Sequence, residues 1–309
     1  MKVAVVIPCH NVESHVATAL RSVLAQTHEE LDIVAVDDGS TDGTHAVLER
    51  MVGESNGRLR VIAQANAGAC AARNVGAGAT QGAWIQFLDA DDELLPDKIE
   101  RQLALISGGA QVVIGGYRNR YADGRATTVM PLVGDPWEAL LRTRMGTTSA
   151  NLFQRDALVS AGGWDESLRS SQDYELLFRL LKNGAKLAWD DGVRCEVLKR
   201  SKGSISRTDE RANWLRYLDL RCAMRDHLRS MGGNHAASIA TADQYLFMAI
   251  RVLSKHDRHA ATSAFDRMLP AGFVPERSKA TSALYVLAFR MFGFRLAERL
   301  AGIGGTTNP

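Results

Sequence analysis

Ala83-Trp84-Ile85-Gln86-Phe87-Leu88-Asp89-Ala90-Asp91-Asp92-Glu93 decides how this chain is read. A short apolar run with an aromatic and β-branched bias predicts a buried strand over Trp84–Leu88. The run stops abruptly in acids. Side chains alternate in extended backbone, so Asp89 and Asp91 are expected on one face and Asp92 on the other. Two carboxylates at a rigid strand end make a hard-oxygen claw for Mn2+ or Mg2+, with the other positions left to water and substrate phosphates. An EF-hand loop is excluded, because its sixth position requires glycine and Leu94 stands there. A polar turn is the plain alternative for an isolated Asp-x-Asp, so the surrounding chain has to choose.

Working outward, strands are predicted at Val3–Ile7, Leu31–Val36 and Leu59–Ala63, each followed by a helical pattern. Val16, Ala19, Leu20, Val23 and Leu24 keep the spacing of one helical face. Four strands alternating with helices over the first 90 or so residues imply a parallel sheet, whose ligands bind beyond the carboxyl ends of the strands. Those ends carry Asn11, Asp38, Asn66 and Asp89/Asp91, which define one candidate site. Neither G-x-G-x-x-G after the first strand nor a P-loop motif occurs, which argues against an ordinary dehydrogenase or a P-loop kinase. Beyond Pro96 a helix is expected at Lys98–Ile106, with strands at Gln111–Ile114, Ser149–Phe153, Leu187–Trp189 and Val193–Leu198. The section from Tyr117 to Arg144 has no clear period. A helix opens at Gln172-Asp173, and from Arg207 onward the texture is helical, with Ile239, Ala242, Leu246, Ala249, Ile250 and Leu253 on one face.

The 309 residues, 46% hydrophobic, suffice for one or two domains, read as 1–206 and 207–309. A net charge of +2 suggests no nucleic acid partner, but it is unevenly spread: from Ile205 onward stand 15 Lys/Arg against 9 Asp/Glu, leaving 22 against 26 before it. The four cysteines are scattered without C-x-x-C, so a reducing compartment is expected. The opening apolar run is too short for a secretory signal, and Ala283–Phe289 falls far short of a membrane span. A cytoplasmic protein is expected. The last helix, with Arg290, Arg295 and Arg299, is expected to pack on its own domain. Peripheral contact of 282–300 with the inner face of an anionic membrane is the alternative.

Five segments in order carry a resemblance: Val-Val-Ile-Pro-Cys-His-Asn-Val-Glu (5–13), Val-Asp-Asp-Gly-Ser-Thr-Asp (36–42), Asn-Ala-Gly…Ala-Arg-Asn (66–74), Phe-Leu-Asp-Ala-Asp-Asp (87–92) and Gly-Gly-Trp-Asp-Glu (162–166). Together they resemble the inverting family-2 glycosyltransferases of the GT-A fold, over about residues 2–207. The resemblance implies a Rossmann-like mixed sheet flanked by helices; the α-helical C-terminal region that follows is read from its apolar spacing alone. It also implies a nucleotide-sugar donor, a glycan or lipid-linked acceptor and a divalent ion. Pro8, His10, Asn11 and Glu13 match the first nucleotide loop, and Asp38 the base reader. A carboxylate there would accept the N3–H of uracil or thymine, which favours a UDP-linked sugar. Gly68, Arg73, Asp89 and Ala90 match further nucleotide contacts, Asp91 (with Asp89) the metal position, and Trp164, Asp165 and Gln172 the acceptor side.

A base is still needed for the acceptor hydroxyl. No histidine falls between Ala46 and Asp226, so a base from the second half of this domain must be a carboxylate. Asp173 matches the family's catalytic Asp, although Asp near a helix start can also serve as a cap. Two departures stand out. Gln172 replaces the usual Glu, and Ser201 stands where relatives often place a metal- or diphosphate-reaching His. Arg200 and Lys202 are then the candidates for meeting the phosphates directly. Two other readings are a non-catalytic nucleotide-sugar-binding protein and a sugar-phosphate nucleotidyltransferase. The latter is weakened because residues 8–16 contain no Gly, Lys or Arg.

Overall fold

The structure is a computed structural model that describes residues 1–200, 209–233, 235–278 and 280–303. The chain divides into two compact units, Met1–Ser204 and Ile205–Pro309. The first unit opens with β1 (Val3–Cys9), α1 (Val16–Leu24), β2 (Leu31–Asp38), α2 (Thr44–Glu54), β3 (Leu59–Gln64), α3 (Ala69–Gly78) and β4 (Trp84–Phe87). It continues with β5 (Glu93–Leu94), α4 (Lys98–Leu103), β6 (Val112–Tyr121), β7 (Ala126–Val129) and α5 (Pro136–Leu141). β8 (Leu152–Gln154), α6 (Arg155–Ser160), α7 (Gln172–Lys182) and β9 (Leu187–Lys199) complete it.

The strands form one mixed sheet in the order β3-β2-β1-β4-β8-β6-β9-β5, with β7 hairpinned onto β6. β3, β2, β1 and β4 run parallel, whereas β8 is antiparallel to both β4 and β6. Helices cover both faces of the parallel half, which is why β1 and β2 are near-continuous apolar runs. The chain leaves β1 toward β2 on one side and returns to β4 on the other, so the crevice between the tips of β1 and β4 is the topological switch point. Gly76 lets α3 lie flat on this half, because a methyl there would run into Val6 and Val36.

The expected strand at Ser149–Phe153 is shorter than its apolar content suggests. Ser149, Ala150 and Asn151 give their carbonyls to side chains rather than to a ladder: Gln86 Nε2 reaches Ser149 O (2.9 Å), Gln102 Nε2 reaches Ala150 O (2.9 Å) and Lys98 Nζ reaches Asn151 O (3.1 Å). The strands expected at Leu187–Trp189 and Val193–Leu198 are one strand, β9, which follows β6 through two register shifts around Gly116. The section without a period holds the β6–β7 hairpin and α5, which Asp135 caps by accepting from Trp137 N.

Lys98 is fully buried and also donates to Gln86 Oε1, so its ammonium meets no facing carboxylate at hydrogen-bond distance. Burial pushes it down from 10.5 to about 7. The unfolded chain therefore binds more protons than the folded one above pH 7, and stability rises with pH there. The gain is at most about 1.4 kcal/mol per pH unit. It continues to about pH 8.5, where cysteines that are ionised only in the unfolded chain begin to oppose it. The thermal midpoint is expected to climb across that window, and Lys98→Met to flatten the climb, as calorimetry at stepped pH would show.

The second unit is helical: α8 (Glu210–Ser230), α9 (Ala236–His256), α10 (Arg258–Met268) and α11 (Ala283–Ile303). Its core gathers Leu246, Phe247, Ile250 and Leu253 of α9 with Phe289 and Phe294 of α11. The α9 spacing seen in the sequence is borne out except at Ile239, which stays half-buried. Arg225 is buried against Asp243 (2.9 Å). Among the described residues no helix is long and apolar enough to cross a membrane.

Candidate active site

β4 ends one residue earlier than expected, and the acids do not alternate along a strand. They close a turn in which Asp92 N donates to Asp89 O (2.9 Å). Asp92 is buried rather than displayed. Its Oδ2 accepts from Ser149 Oγ (2.7 Å) and its Oδ1 from Leu198 N (3.2 Å), which ties the turn to the end of β9. Burial, then the charges of Asp89 and Asp91, hold its carboxyl well above the usual range. Ala90 turns its methyl into the core, so only its main chain is left for a nucleotide.

The two outward acids each hold an arginine. Asp89 Oδ1 accepts from Arg73 Nη2 (2.7 Å), and Asp91 Oδ2 pairs with Arg200 Nε (2.7 Å). The Asp91 carboxyl is raised by burial and by Asp89, against the pull of Arg200. Lys202 lies outside the described residues.

Arg73 was expected to face the nucleotide. Instead it is 5% exposed and spans the interior: Nη2 grips Asp89, Nη1 donates to Gln172 Oε1 (3.0 Å), and the guanidinium lies 4.6 Å from the centre of the Trp164 ring. Arg73 is a brace, not a phosphate ligand. Trp164 is corrected likewise. At 2% exposed, packed edge-on against Phe87 and Phe153, its ring offers no face to a sugar. Gln172, expected at the acceptor, has its amide engaged at both ends, since Nε2 donates to Leu168 O (2.9 Å). Asp165 remains exposed and accepts from Ser167 N and Oγ.

The brace sets Asp173 beside the Asp89 turn. The N-cap position of α7 is Ser171, in a left-handed conformation, so Asp173 is not the cap; it lies inside the first turn and accepts from Tyr174 N (3.0 Å). Burial raises its carboxyl above the usual range, Asp89 adds to the rise, and Arg73 opposes it. Tyr117 of β6 feels the same carboxylate. Burial and the Asp173 charge push its phenol up to about 12. Sequence reading missed Tyr117, which falls in the stretch without a period, and Ser149, whose hydroxyl joins Asp89 N to Asp92 (3.1 and 2.7 Å).

The other strand ends form a second cluster. Asp38 is 3% exposed, and its Oδ1 accepts from Gln64 Nε2 and Ala67 N, its Oδ2 from Gly68 N, all at 2.8 Å. Gly68 (φ 95°) caps α3 there, a conformation suited to glycine. Among the described residues Asp38 Oδ2 accepts only the bond from Gly68 N. His10 Nδ1 donates to Asp38 O (2.9 Å), which leaves Nε2 to accept from the Asn66 amide (3.1 Å). Asn11 Oδ1 accepts from Thr41 N (2.8 Å), and Glu13 Oε2 from Gly43 N (3.0 Å) at the start of α2. Pro8 sits in β1 beside Val36. Asn74, next to Arg73, binds the Trp164 backbone at both N and O. One end of α3 therefore meets Asp38, its middle meets Asp89, and the same turn holds the loop before Asp173.

Among the described residues no group of three or more His, Cys, Asp or Glu side chains could hold a metal. Asp89 and Asp91 each keep a carboxylate oxygen that makes no arginine contact. That donor pair fits an Mg2+- or Mn2+-type ion completed by water and phosphates, not an all-protein cage.

Comparison with known proteins bears on the fold and the family. Succinoglycan biosynthesis protein ExoO of Rhizobium meliloti is 30% identical over 223 residues, which cover 66% of this chain and 62% of that protein. Glycosyltransferase GlyA of Streptococcus pneumoniae is 34% identical over 168 residues, 52% of this chain and 24% of its own length. An uncharacterized glycosyltransferase of Nostoc, alr2836, is 42% identical over 101 residues, 33% of this chain and 31% of its own. The chain thus spans less than two thirds of each of these relatives. S. aureus TarS 1–349 in complex with UDP-GlcNAc superposes with a TM-score of 0.69 at 18% identity, over 100% of this chain and 93% of that one. Mannosyltransferase PcManGT of Pyrobaculum calidifontis, in complex with GDP-Man and Mn2+, gives 0.58 at 17%, over 98% and 86%. These likenesses show the GT-A fold with its helical C-terminal region. Residues 4–159, half of the sequence, match the Glycosyl transferase family 2 description, and the chain belongs to that family.

Proposed function

We propose that the protein is an inverting glycosyltransferase that moves a sugar from a nucleotide-linked donor, UDP in preference to GDP, to a hydroxyl of a glycan or lipid-linked acceptor in polysaccharide synthesis. One observation carries this reading. Arg73 binds Asp89 on one side and Gln172 on the other, so the acids that face a leaving diphosphate and the carboxylate that would take a proton stand in one crevice. The nucleotide sugars bound to TarS and PcManGT support the donor class.

Asp173, with its raised affinity for a proton, accepts the hydroxyl proton as the acceptor oxygen attacks the anomeric carbon from the face opposite the leaving group. Arg73 and the start of α7 keep that carboxylate oriented. Asp91 and Asp89 would hold the divalent ion, which when bound supplies positive charge to the departing diphosphate. Arg200 brings a fixed positive charge to the same spot and competes for Asp91. Asp165, exposed at the edge of the 162–166 loop, is the proposed acceptor contact. Asp38, His10 and Gly68 would shape the base pocket.

Thermal shift with UDP, GDP and TDP, each with and without Mn2+, tests this, because a ligand that binds only the folded state stabilises it. UDP is expected to give the largest shift, increased by Mn2+. Arg200→Gln is expected to shrink the metal-free UDP shift while leaving the UDP–Mn2+ shift at least as large. Absence of any nucleotide shift in either condition would overturn the reading.

A further inference from the structure

α11 is amphipathic in an unusual way for a helix on a protein surface. Gly293 (φ 74°) breaks it into two arms. The inner side of both arms, Tyr285, Val286, Phe289, Phe294 and Ala297, is buried in the helical core. The outer side is also apolar. Leu284, Leu287 and Met291 stand at i, i+3 and i+7 on the first arm, with Leu284 79% and Met291 64% exposed. Leu296 and Leu300 form an exposed i, i+4 pair on the second. The sequence left two uses open for this helix, and the structure provides a face for each.

The charges around the outer face have one sign. Glu298 is the only acid of α11, and it is drawn inward by Arg251 Nε and Tyr285 Oη, both at 2.6 Å. Arg290 and Arg299 are exposed, with no ion-pair partner among the described residues. Arg295, one turn before Arg299, enters a groove of about 700 Å³ against α10, lined also by Arg258, His259, Thr262, Asp266 and Arg267. Asp266 is the one acid there, and Arg295 pairs with it (3.1 Å), which leaves Arg258 and Arg267 in excess. The groove thus adjoins the second arm of α11, whose exposed Leu296 and Leu300 stand beside Arg295 and Arg299 on the helix, and the leucine stripe continues the apolar outer side on the first arm.

We propose that this α10–α11 surface docks on an anionic lipid bilayer: the apolar side chains enter the headgroup–acyl boundary, and the groove and Arg290 and Arg299 meet lipid phosphates. An exposed contiguous apolar face marks an interaction site. A basic rim whose one groove acid, Asp266, is already paired with Arg295 matches an anionic membrane. A second copy fits less well, because a two-fold contact would set these arginines against themselves. The inference does not depend on the transfer chemistry.

Vesicle flotation of the full chain tests it, with pure phosphatidylcholine against an equal mixture with phosphatidylglycerol. Wild type is expected to float with the mixture, to prefer it several-fold over pure phosphatidylcholine, and to lose that preference in high salt. Leu287→Glu/Met291→Glu is expected to cut flotation about ten-fold. Arg258→Gln/Arg267→Gln is expected to remove most of the anionic preference. Both pairs are solvent-facing, so their thermal midpoints and UDP shifts should match wild type, which separates loss of docking from loss of fold. Equal flotation with both vesicle types, or Leu287→Glu/Met291→Glu behaving as wild type, would overturn the proposal. So would a dimer in solution that the same pair dissolves while wild type ignores vesicles, since the face would then belong to a second copy.

Discussion

Asp173→Asn is expected to lower sugar transfer about 1,000-fold, within the range for loss of a general base, while UDP binding and the thermal midpoint stay near wild type. The substitution keeps the shape of the side chain and one acceptor oxygen, so the bond from Tyr174 N survives. What disappears is a carboxylate whose proton affinity is raised by burial beside Asp89. Removing a charge held at that cost should not destabilise the fold, and a slight rise in thermal midpoint would be consistent with it. The pH dependence carries a sign. Wild-type kcat/KM should fall as pH drops through the Asp173 pKa, at a pH above the usual carboxylate range. Transfer by Asp173→Asn at near wild-type rate would remove Asp173 from the mechanism. Zero turnover by both proteins, with UDP binding intact, would favour a nucleotide-sugar-binding protein instead.

Arg73→Met should cost more than activity. The brace is buried and bonded to a carboxylate, an amide oxygen and an aromatic face, so its loss leaves Asp89 and Gln172 Oε1 without their partner. Asp89 is 38% exposed and regains water, so the loss should be smaller than for a fully buried pair, about 1–2 kcal/mol, readable as a lower denaturation midpoint. Arg73→Lys separates support from orientation. A lysine can reach one of the two partners but lacks the planar fork that serves both. It is expected to recover most of the stability while kcat stays down about 100-fold, the scale of a misplaced reacting group. Because the Arg73 charge opposes the rise at Asp173, Arg73→Met should also move the acid limb of the pH–rate profile to higher pH, whereas Arg73→Lys, which keeps the charge, should move it less. A purely structural residue would leave that limb in place.

The parallel half of the sheet was legible because strands buried on both faces are unbroken apolar runs, as in Val3–Ile7 and Leu31–Val36, and the four polar strand ends do share one edge. Asp173 was reached by resemblance and by the missing histidines, and it lies where its charge is felt by Asp89 and Tyr117. Alternation sorted the acids as found, Asp89 and Asp91 outward and Asp92 inward, but not by strand geometry, because the chain leaves extended geometry at Leu88 and closes a turn stabilised by Ser149, some 60 residues later. Local periodicity carries no trace of such a partner. Trp164 and Arg73 were misread for a related reason. A Trp next to acids and an Arg on a helix look like ligand contacts in one dimension, yet the two pack against one another inside the fold.

The grip of α3 on the 162–173 segment has a consequence for remodelling acceptor or donor choice. Arg73 and Asn74 reach Gln172, Trp164 and Glu166, so the two stretches behave as key and lock cut from one blank. A chimaera that imports either stretch alone from a relative would inherit mismatched halves. Residues 66–74 and 162–173 should travel together as one cassette.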